Sequence, residues 1–117
     1  MTRRTERLND LLRAELSELV MRELKDPRVS GLVTLTEVDV APDLTRAKVF
    51  VSVLGSDEER DATMQALRAA AHFLRRELGK RLTIRRTPEL TFIPDDSLAR
   101  GARLLDLLKE TREDGAP

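Results

Sequence analysis

The sequence predicts a single α+β domain in which helices pack against a small three-stranded sheet. The length of 117 residues is typical of one domain, and an apolar content of 40% is enough for a packed core. Along the chain, the apolar spacing alternates between the helical period and the strand period of two, in the order helix, strand, strand, helix, strand, helix. Elements in this order are typical of helices layered on one sheet.

A long amphipathic helix is predicted over about residues 4–25, and Asp26-Pro27 ends it. Its apolar residues recur at helical spacing between Arg, Glu and Asp, so this face is expected to pack on the core. The stripe consists of Leu8, Leu11, Leu12, Leu16, Leu19, Val20 and Leu24.

The next two segments read as paired strands. In the first strand the apolar parity changes between Leu35 and Val38, which predicts a β-bulge near Thr36-Glu37. Ala41-Pro42-Asp43 supplies turn chemistry. The second strand is apolar on both faces, which indicates a central position or a second layer packed against it. One face carries Ala47, Val49, Val51 and Val53, and the other carries Phe50 and Leu54.

A second helix is predicted from the capping box of Ser56 and Glu59 to Gly79, a residue suited to a helix C-cap. Its small residues 69–71 permit a bend or a close approach of another backbone. Leu82 to Pro94 then reads as a third strand with Leu90 and Phe92 as apolar anchors.

Pro88 has no N–H to donate, so it is expected at an edge or a bulge of that strand. The pattern leaves the direction of the third strand open. Asp95-Asp96-Ser97 caps a predicted short last helix with Leu98, Leu105 and Leu108 on one side. We therefore predict one domain over residues 1–110 and a short disordered tail over 111–117.

The composition excludes several classes of protein. The chain has no cysteine, which excludes disulfides, thiolate zinc sites, iron–sulfur clusters and a thiol nucleophile, and fits a reducing cytoplasm. No apolar run exceeds three residues, so we expect no membrane span. The basic start lacks an apolar stretch, so we expect no secretory signal.

Catalytic residues are scarce. His72 is the only histidine and lies within a predicted helix, and Asp95-Asp96 reads more simply as a helix cap. The glycines at 55, 79 and 101 stand alone and form no phosphate loop. We expect no enzyme activity, no cofactor, no metal and no small-molecule substrate; a small metal-dependent hydrolase at Asp95-Asp96 is the least supported alternative.

The formal net charge of zero conceals a basic segment over residues 68–86, flanked by acidic ones. Electrostatic fields depend on local density over about a Debye length, ~8 Å, so this segment outweighs the total. Glu77 is its only carboxylate, and its charge of +6 predicts contact with phosphates. The basic residues are Arg68, Arg75, Arg76, Lys80, Arg81, Arg85 and Arg86.

Other basic residues extend this surface if the fold brings the end of the first helix and the hairpin nearby: Lys25, Arg28, Arg46 and Lys48. The only aromatic residues are Phe50, Phe73 and Phe92, which read as core. The sequence therefore favours recognition of a structured RNA by its shape and backbone over stacking on splayed bases.

Short motifs distributed from about residue 4 to residue 108 resemble the ribosome-binding factor A family in order and spacing. They are Lys25-Asp26-Pro27-Arg28, Asp43-Leu44 with Ala47-Lys48-Val49, Leu78-Gly79, Pro88-Glu89-Leu90-Thr91-Phe92, and Asp96-Ser97-Leu98 with Gly101.

The resemblance implies a KH-like domain of the second type, without the Gly-x-x-Gly clamp and with a kinked helix pair. The kink motif of the family, Ala-x-Gly, corresponds to Ala70, Ala71 and His72, so histidine stands where the family has glycine. Histidine tolerates a distorted backbone less readily than glycine.

The resemblance also implies a function: a monomeric cytoplasmic factor that binds the small (30S) ribosomal subunit and its 16S rRNA. It would assist late maturation and processing of the 5′ end of the rRNA, most importantly in the cold. The alternative left open is a protein-interaction module that docks through the leucine stripe of the first helix without direct RNA contact.

Overall fold

The computed structural model describes residues 3–29, 32–84 and 86–95. Within them the elements follow in the order α1, β1, β2, α2, α3, β3, and the predicted α+β class is confirmed. Arg85, the predicted C-terminal helix and the tail over 111–117 lie outside the described residues. The helices are α1 (Arg3–Arg22), α2 (Asp57–Ala69) and α3 (Ala71–Arg81), and the strands are β1 (Leu32–Val40), β2 (Arg46–Leu54) and β3 (Glu89–Pro94).

The three strands form one mixed sheet in the order β1-β2-β3. β1 and β2 are antiparallel, and their register shifts between Leu35 and Glu37, so the predicted bulge is confirmed. β2 is the central strand, which explains why it is apolar on both faces. β3 runs parallel to β2, which is the direction that the sequence pattern left open.

The core lies between one face of the sheet and the three helices. Most of the leucine stripe of α1 packs there, with Leu12, Leu16 and Leu19 completely buried, and burial of each such side chain stabilises the fold by roughly 1.5–3 kcal/mol. Leu11 is the exception: the pattern predicts that it faces the core, but it is 44% exposed. α1 ends at Arg22, three residues earlier than the pattern suggests. The other helices and the strands contribute these buried residues to the core: Leu35, Val38, Val40, Ala47, Val49, Val51, Val53, Met64, Leu67, Leu74, Leu78 and Phe92.

The second predicted helix is two helices. The capping box of Ser56 and Glu59 begins α2 as predicted, but α2 ends before Ala70, where φ is −90° and ψ is 3°. Gly79 does not end the helix as predicted. It lies inside α3, which continues to Arg81, and the N–H of Leu82 still donates to the carbonyl of Leu78.

The third strand begins at Glu89, so the prediction of a strand from Leu82 is wrong. In the parallel ladder Glu89 lies opposite Arg46, the first residue of β2. The described residues just before Glu89, 82–84 and 86–88, therefore have no strand beside them with which to pair. Pro88 lies immediately before this edge strand and is buried.

Candidate nucleic-acid interface

A groove between α3 and the segment that leads into β3 is lined by two of the basic residues of α3, Arg75 and Arg76. It has a volume of about 540 Å³ and is lined by His72, Arg75, Arg76, Gly79 and Thr87. We call this cavity the α3 groove. His72 and Arg76 are exposed and Arg75 is half-buried, so the groove presents its nitrogen donors to solvent.

Arg75 is held in place by the chain opposite. Its Nε donates to the carbonyl oxygen of Thr87 at 3.0 Å, which leaves the two terminal nitrogens of the guanidinium for a ligand. An anchored guanidinium loses less side-chain freedom on binding than a free one, and its donors match the geometry of a phosphate.

Gly79 allows this close approach between helix and segment. A Cβ at position 79 would lie 2.9 Å from Oγ1 of Thr87, which is shorter than any ordinary contact. Neither Gly79 nor Thr87 was singled out by sequence as a groove residue. The signal that could have found them is a glycine inside a helical pattern, one turn after Arg75, where a glycine costs helix stability unless packing requires it.

Two further cations border the α3 groove. Arg86 is exposed next to Thr87, and the side chain of Lys80, one turn beyond Arg76, is 71% exposed and pairs with Glu77 at 3.2 Å. Such an exposed pair contributes little stability, so the ammonium remains available to a stronger anion.

Arg68, at the end of α2, lies along the same side of the molecule. Its Nη2 donates to the carbonyl oxygen of Phe92 at 3.2 Å, on the edge of β3. Arg68 and Arg75 therefore both lie against β3 and the segment before it, although the helix is interrupted between them.

The side chain of Arg81 points away from the α3 groove. It points to α1, where Nη1 lies 3.4 Å from Glu15 and 3.5 Å from Glu18, and Nη2 lies 3.8 Å from Glu23. Its charge is thus balanced within the fold, so Arg81, at the end of α3, does not join the cations that line the α3 groove.

The additional basic residues named from the sequence lie elsewhere. Arg28 forms a bidentate pair with Asp26, 2.7 Å at its closest, and these hydrogen bonds hold the pKa of Asp26 below its ordinary value and raise the pKa of Arg28. Lys25 is exposed in the same loop.

Arg46 and Lys48 project from the sheet face opposite the helices, so the fold does not bring them to the α3 groove. On that face Arg46 lies opposite Glu89 and Lys48 lies opposite Asp39, so acidic neighbours dilute their charge. Phe50 shares this face and is half-buried, whereas the sequence placed it in the core.

The kink does not require the glycine of the family motif. Ala70 turns the chain at a negative φ that any L-residue adopts, and its N–H still bonds to the carbonyls of Ala66 and Leu67. His72 follows as the second residue of α3 with its side chain exposed. Histidine at this position therefore places its imidazole at the mouth of the groove without straining the backbone.

The other candidate sites have lost support. Asp95 accepts a hydrogen bond from the hydroxyl of Thr36 at 2.6 Å, and Asp96 lies outside the described residues. Among the residues described, no group of three His, Asp or Glu side chains could hold a metal. The leucine stripe of α1 faces the core apart from Leu11, so most of it is not an open docking surface. In the same part of the chain, no helix is long and apolar enough to span a membrane.

A three-stranded sheet with its third strand parallel, helices on one face and a helix pair without Gly-x-x-Gly define a KH-like domain of the second type. Solution coordinates of a ribosome binding factor A of Thermotoga maritima superpose with a TM-score of 0.72 at 33% identity, covering 81% of this chain and 90% of that one. The fold class is therefore shown by structure as well as by sequence.

The family follows from three comparisons. The family model of ribosome-binding factor A matches residues 4–108, and the factor of Dictyoglomus thermophilum is 51% identical over 110 residues, covering 94% of this chain and 92% of its own. A homology model of Thermus thermophilus ribosome binding factor A, as fitted into a cryo-electron microscopy map of its 30S complex, matches with a TM-score of 0.62 and 30% identity, over 75% of this chain and 91% of that one. The chain belongs to the ribosome-binding factor A family.

Proposed function

We propose that this protein binds the small (30S) ribosomal subunit by gripping the phosphate backbone of 16S rRNA in the α3 groove. The observation that carries the proposal is the convergence of Arg75, Arg76 and His72 on one open cavity, with Lys80 at its border. Guanidinium groups at this density suit phosphates, and no Phe, Tyr or Trp is among the described residues that line the groove.

Family membership supports this proposal, and so does the 30S complex in which the related Thermus thermophilus protein was fitted. From family membership we infer the finer parts of the role. The protein acts without catalysis in late maturation of the subunit and in processing of the 5′ end of 16S rRNA, most importantly at low temperature, and it does so in the cytoplasm, where ribosomes assemble.

We propose further that it works as a monomer. Both edges of the sheet carry a side chain that occupies a backbone group: Asn9 accepts from the N–H of Val40 at 2.9 Å, and Arg68 donates to the carbonyl of Phe92. Edges occupied in this way, together with Pro88 and Pro94 at the ends of β3, oppose pairing with a second copy.

Co-sedimentation with purified small subunits over a range of salt concentrations tests the function. We expect binding at low salt whose equilibrium constant falls steeply with salt, because phosphate contacts release counterions. A protein that stays at the top of the gradient at low salt contradicts the proposal. Preference for immature subunits over translating ribosomes separates an assembly factor from a general RNA binder.

A further inference from the structure

A second and larger cavity lies at the end of the sheet where β2 and β3 begin. It measures about 890 Å³ and is enclosed by the start of α1, the β1–β2 turn and the segment before β3. We call it the Leu44 cleft. Most of its wall is apolar, formed by Leu8, Val40, Pro42, Leu44, Ile84 and Pro88, with Thr5, Asp43, Thr83 and Arg86 completing it.

The backbone at Leu44 is held in a conformation that disfavours leucine. Its N–H donates to the carbonyl of Ala41 at 2.8 Å, and the N–H of Ala41 donates to the carbonyl of Arg46 at 2.8 Å. A tight turn closed in this way continues into a left-handed residue, usually glycine. Leu44 has φ of 63°, alone among the described non-glycine residues in having a positive φ. Any residue with a Cβ pays a conformational cost there.

The side chain of Leu44 is not fully used by the fold. It is 42% exposed on the rim of the cleft, whereas the core leucines are completely buried. Glycine would relieve the backbone and lose only a half-buried contact. An apolar group kept at a conformational cost and left partly exposed to water is consistent with a contact that forms on binding.

The charged residues on the rim indicate the character of the partner. The carboxylate of Asp43 is occupied by the N–H of Thr45 at 3.1 Å and its hydroxyl at 2.8 Å. Arg86 is exposed, and no ion pair within the described part of the chain engages it. The rim therefore presents the unpaired guanidinium of Arg86 beside the apolar wall of the Leu44 cleft.

We propose that the Leu44 cleft docks a protein segment that presents an apolar side chain next to a carboxylate. This rests on the proposed function, because the segment would belong to a protein of the small subunit. Arg86 and Thr87 are adjacent in the chain, and Thr87 lines the α3 groove, so the cleft and the groove border each other and meet the same particle.

An RNA occupant fits the cleft poorly. Among the described residues, its lining contains one basic residue, Arg86, and six apolar ones, whereas phosphate binding requires several cations. It contains no aromatic side chain on which a base could stack. Apolar docking and phosphate binding also differ in a measurable way, because only the second depends steeply on salt.

The first test is Leu44→Gly, measured against wild type for stability and for affinity to small subunits. We expect an unfolding free energy equal to or above that of wild type and an affinity lower by about tenfold. The salt slope, which is the slope of the logarithm of the binding constant against the logarithm of the salt concentration, should be unchanged. A loss of stability would mean that Leu44 serves the fold, and an unchanged affinity would mean that the cleft is empty in the complex; either result overturns the proposal.

Two further measurements identify the occupant. Leu44→Gly should bind protein-free 16S rRNA as wild type does, and an equal loss there would overturn the proposal in favour of RNA. A photo-crosslinking p-benzoylphenylalanine at Thr83 should label a ribosomal protein, with the same group at Met21, 80% exposed on α1, as control. Crosslinks from Thr83 to rRNA alone, or none, contradict protein docking.

The two proposals fail separately. If wild-type protein does not sediment with the subunits, the proposed function is wrong. If wild type sediments and Leu44→Gly sediments equally, only the assignment of the cleft is wrong.

Discussion

Arg76 and Arg81 lie on the same short helix, and their surroundings differ completely. Arg76 opens into the α3 groove beside His72 and Arg75, and none of the described residues that line this cavity is a carboxylate. Arg81 turns to α1 and meets Glu15, Glu18 and Glu23. The comparison shows that a basic segment has two kinds of members: cations that the fold leaves for a partner, and cations that the fold uses to join its own helices.

The largest expected effect is on affinity for small subunits, which should depend on the cations left for a partner and not on those used within the fold. Arg75→Ala with Arg76→Ala should weaken binding to small subunits by about 10- to 100-fold and reduce the salt slope by about two, because two phosphate contacts are lost. Arg81→Ala is the matched control and should stay within about twofold of wild type. The measurement is co-sedimentation at several salt concentrations.

The single variant Arg76→Ala guards against a folding artefact, since Arg76 is exposed whereas Arg75 is anchored to Thr87. It should melt like wild type and show a smaller loss of affinity. If Arg81→Ala weakened binding as much as the groove variants do, the division of α3 into two sides would be wrong.

The free energy of unfolding should rank the variants in the opposite order, with Arg81→Ala more affected than Arg76→Ala. Arg81→Ala is expected to lower the unfolding free energy by about 1 kcal/mol, because the cation that joins α3 to three carboxylates of α1 is removed and its side chain is only 28% exposed. Urea denaturation of Arg81→Ala and Arg76→Ala measures this. The difference should shrink in high salt, and a more stable Arg81→Ala would contradict the assigned role.

A third prediction concerns the close approach that shapes the groove. Gly79→Ala should stabilise a variant that already carries Thr87→Ala by about 0.5–1 kcal/mol, because alanine favours the helix. With Thr87 intact the gain should be lost or reversed, because the new Cβ meets Oγ1 of Thr87. A double-mutant cycle by denaturation gives the coupling, and additive effects would show that the contact is unimportant.

The smallest effect concerns another arginine neutralised within the fold. The pKa of Asp26 is lowered from 3.8 by its hydrogen bonds to Arg28, so the folded state holds this proton less tightly than the unfolded state. The resulting stability is present above pH 3.8 and is lost as pH falls through the lower folded pKa. Wild type should therefore melt above Asp26→Asn at neutral pH, and the gap should close in acid. Arg28→Ala should remove this pH dependence, and a gap that persists unchanged in acid would contradict the assignment.

Local patterns predicted the elements whose causes are local. The parity change around Thr36 gave the bulge, and Ser56 with Glu59 gave the start of α2. The end of α3 and the start of β3 were missed for a common reason. Gly79 is kept for contact with Thr87, and β3 can pair only from Glu89, opposite the first residue of β2. Both depend on residues distant in sequence.

The sequence alone determined the fold class, the amphipathic first helix, the family resemblance and a concentration of +6 over residues 68–86 beneath a net charge of zero. It could not determine which of those charges are available. Only the tertiary structure brought Glu15 beside Arg81, 66 residues away, and opened Arg76 to solvent. The physical reason is that charge is fixed by residue type, whereas its neutralisation depends on distances of a few ångströms that only the folded chain sets.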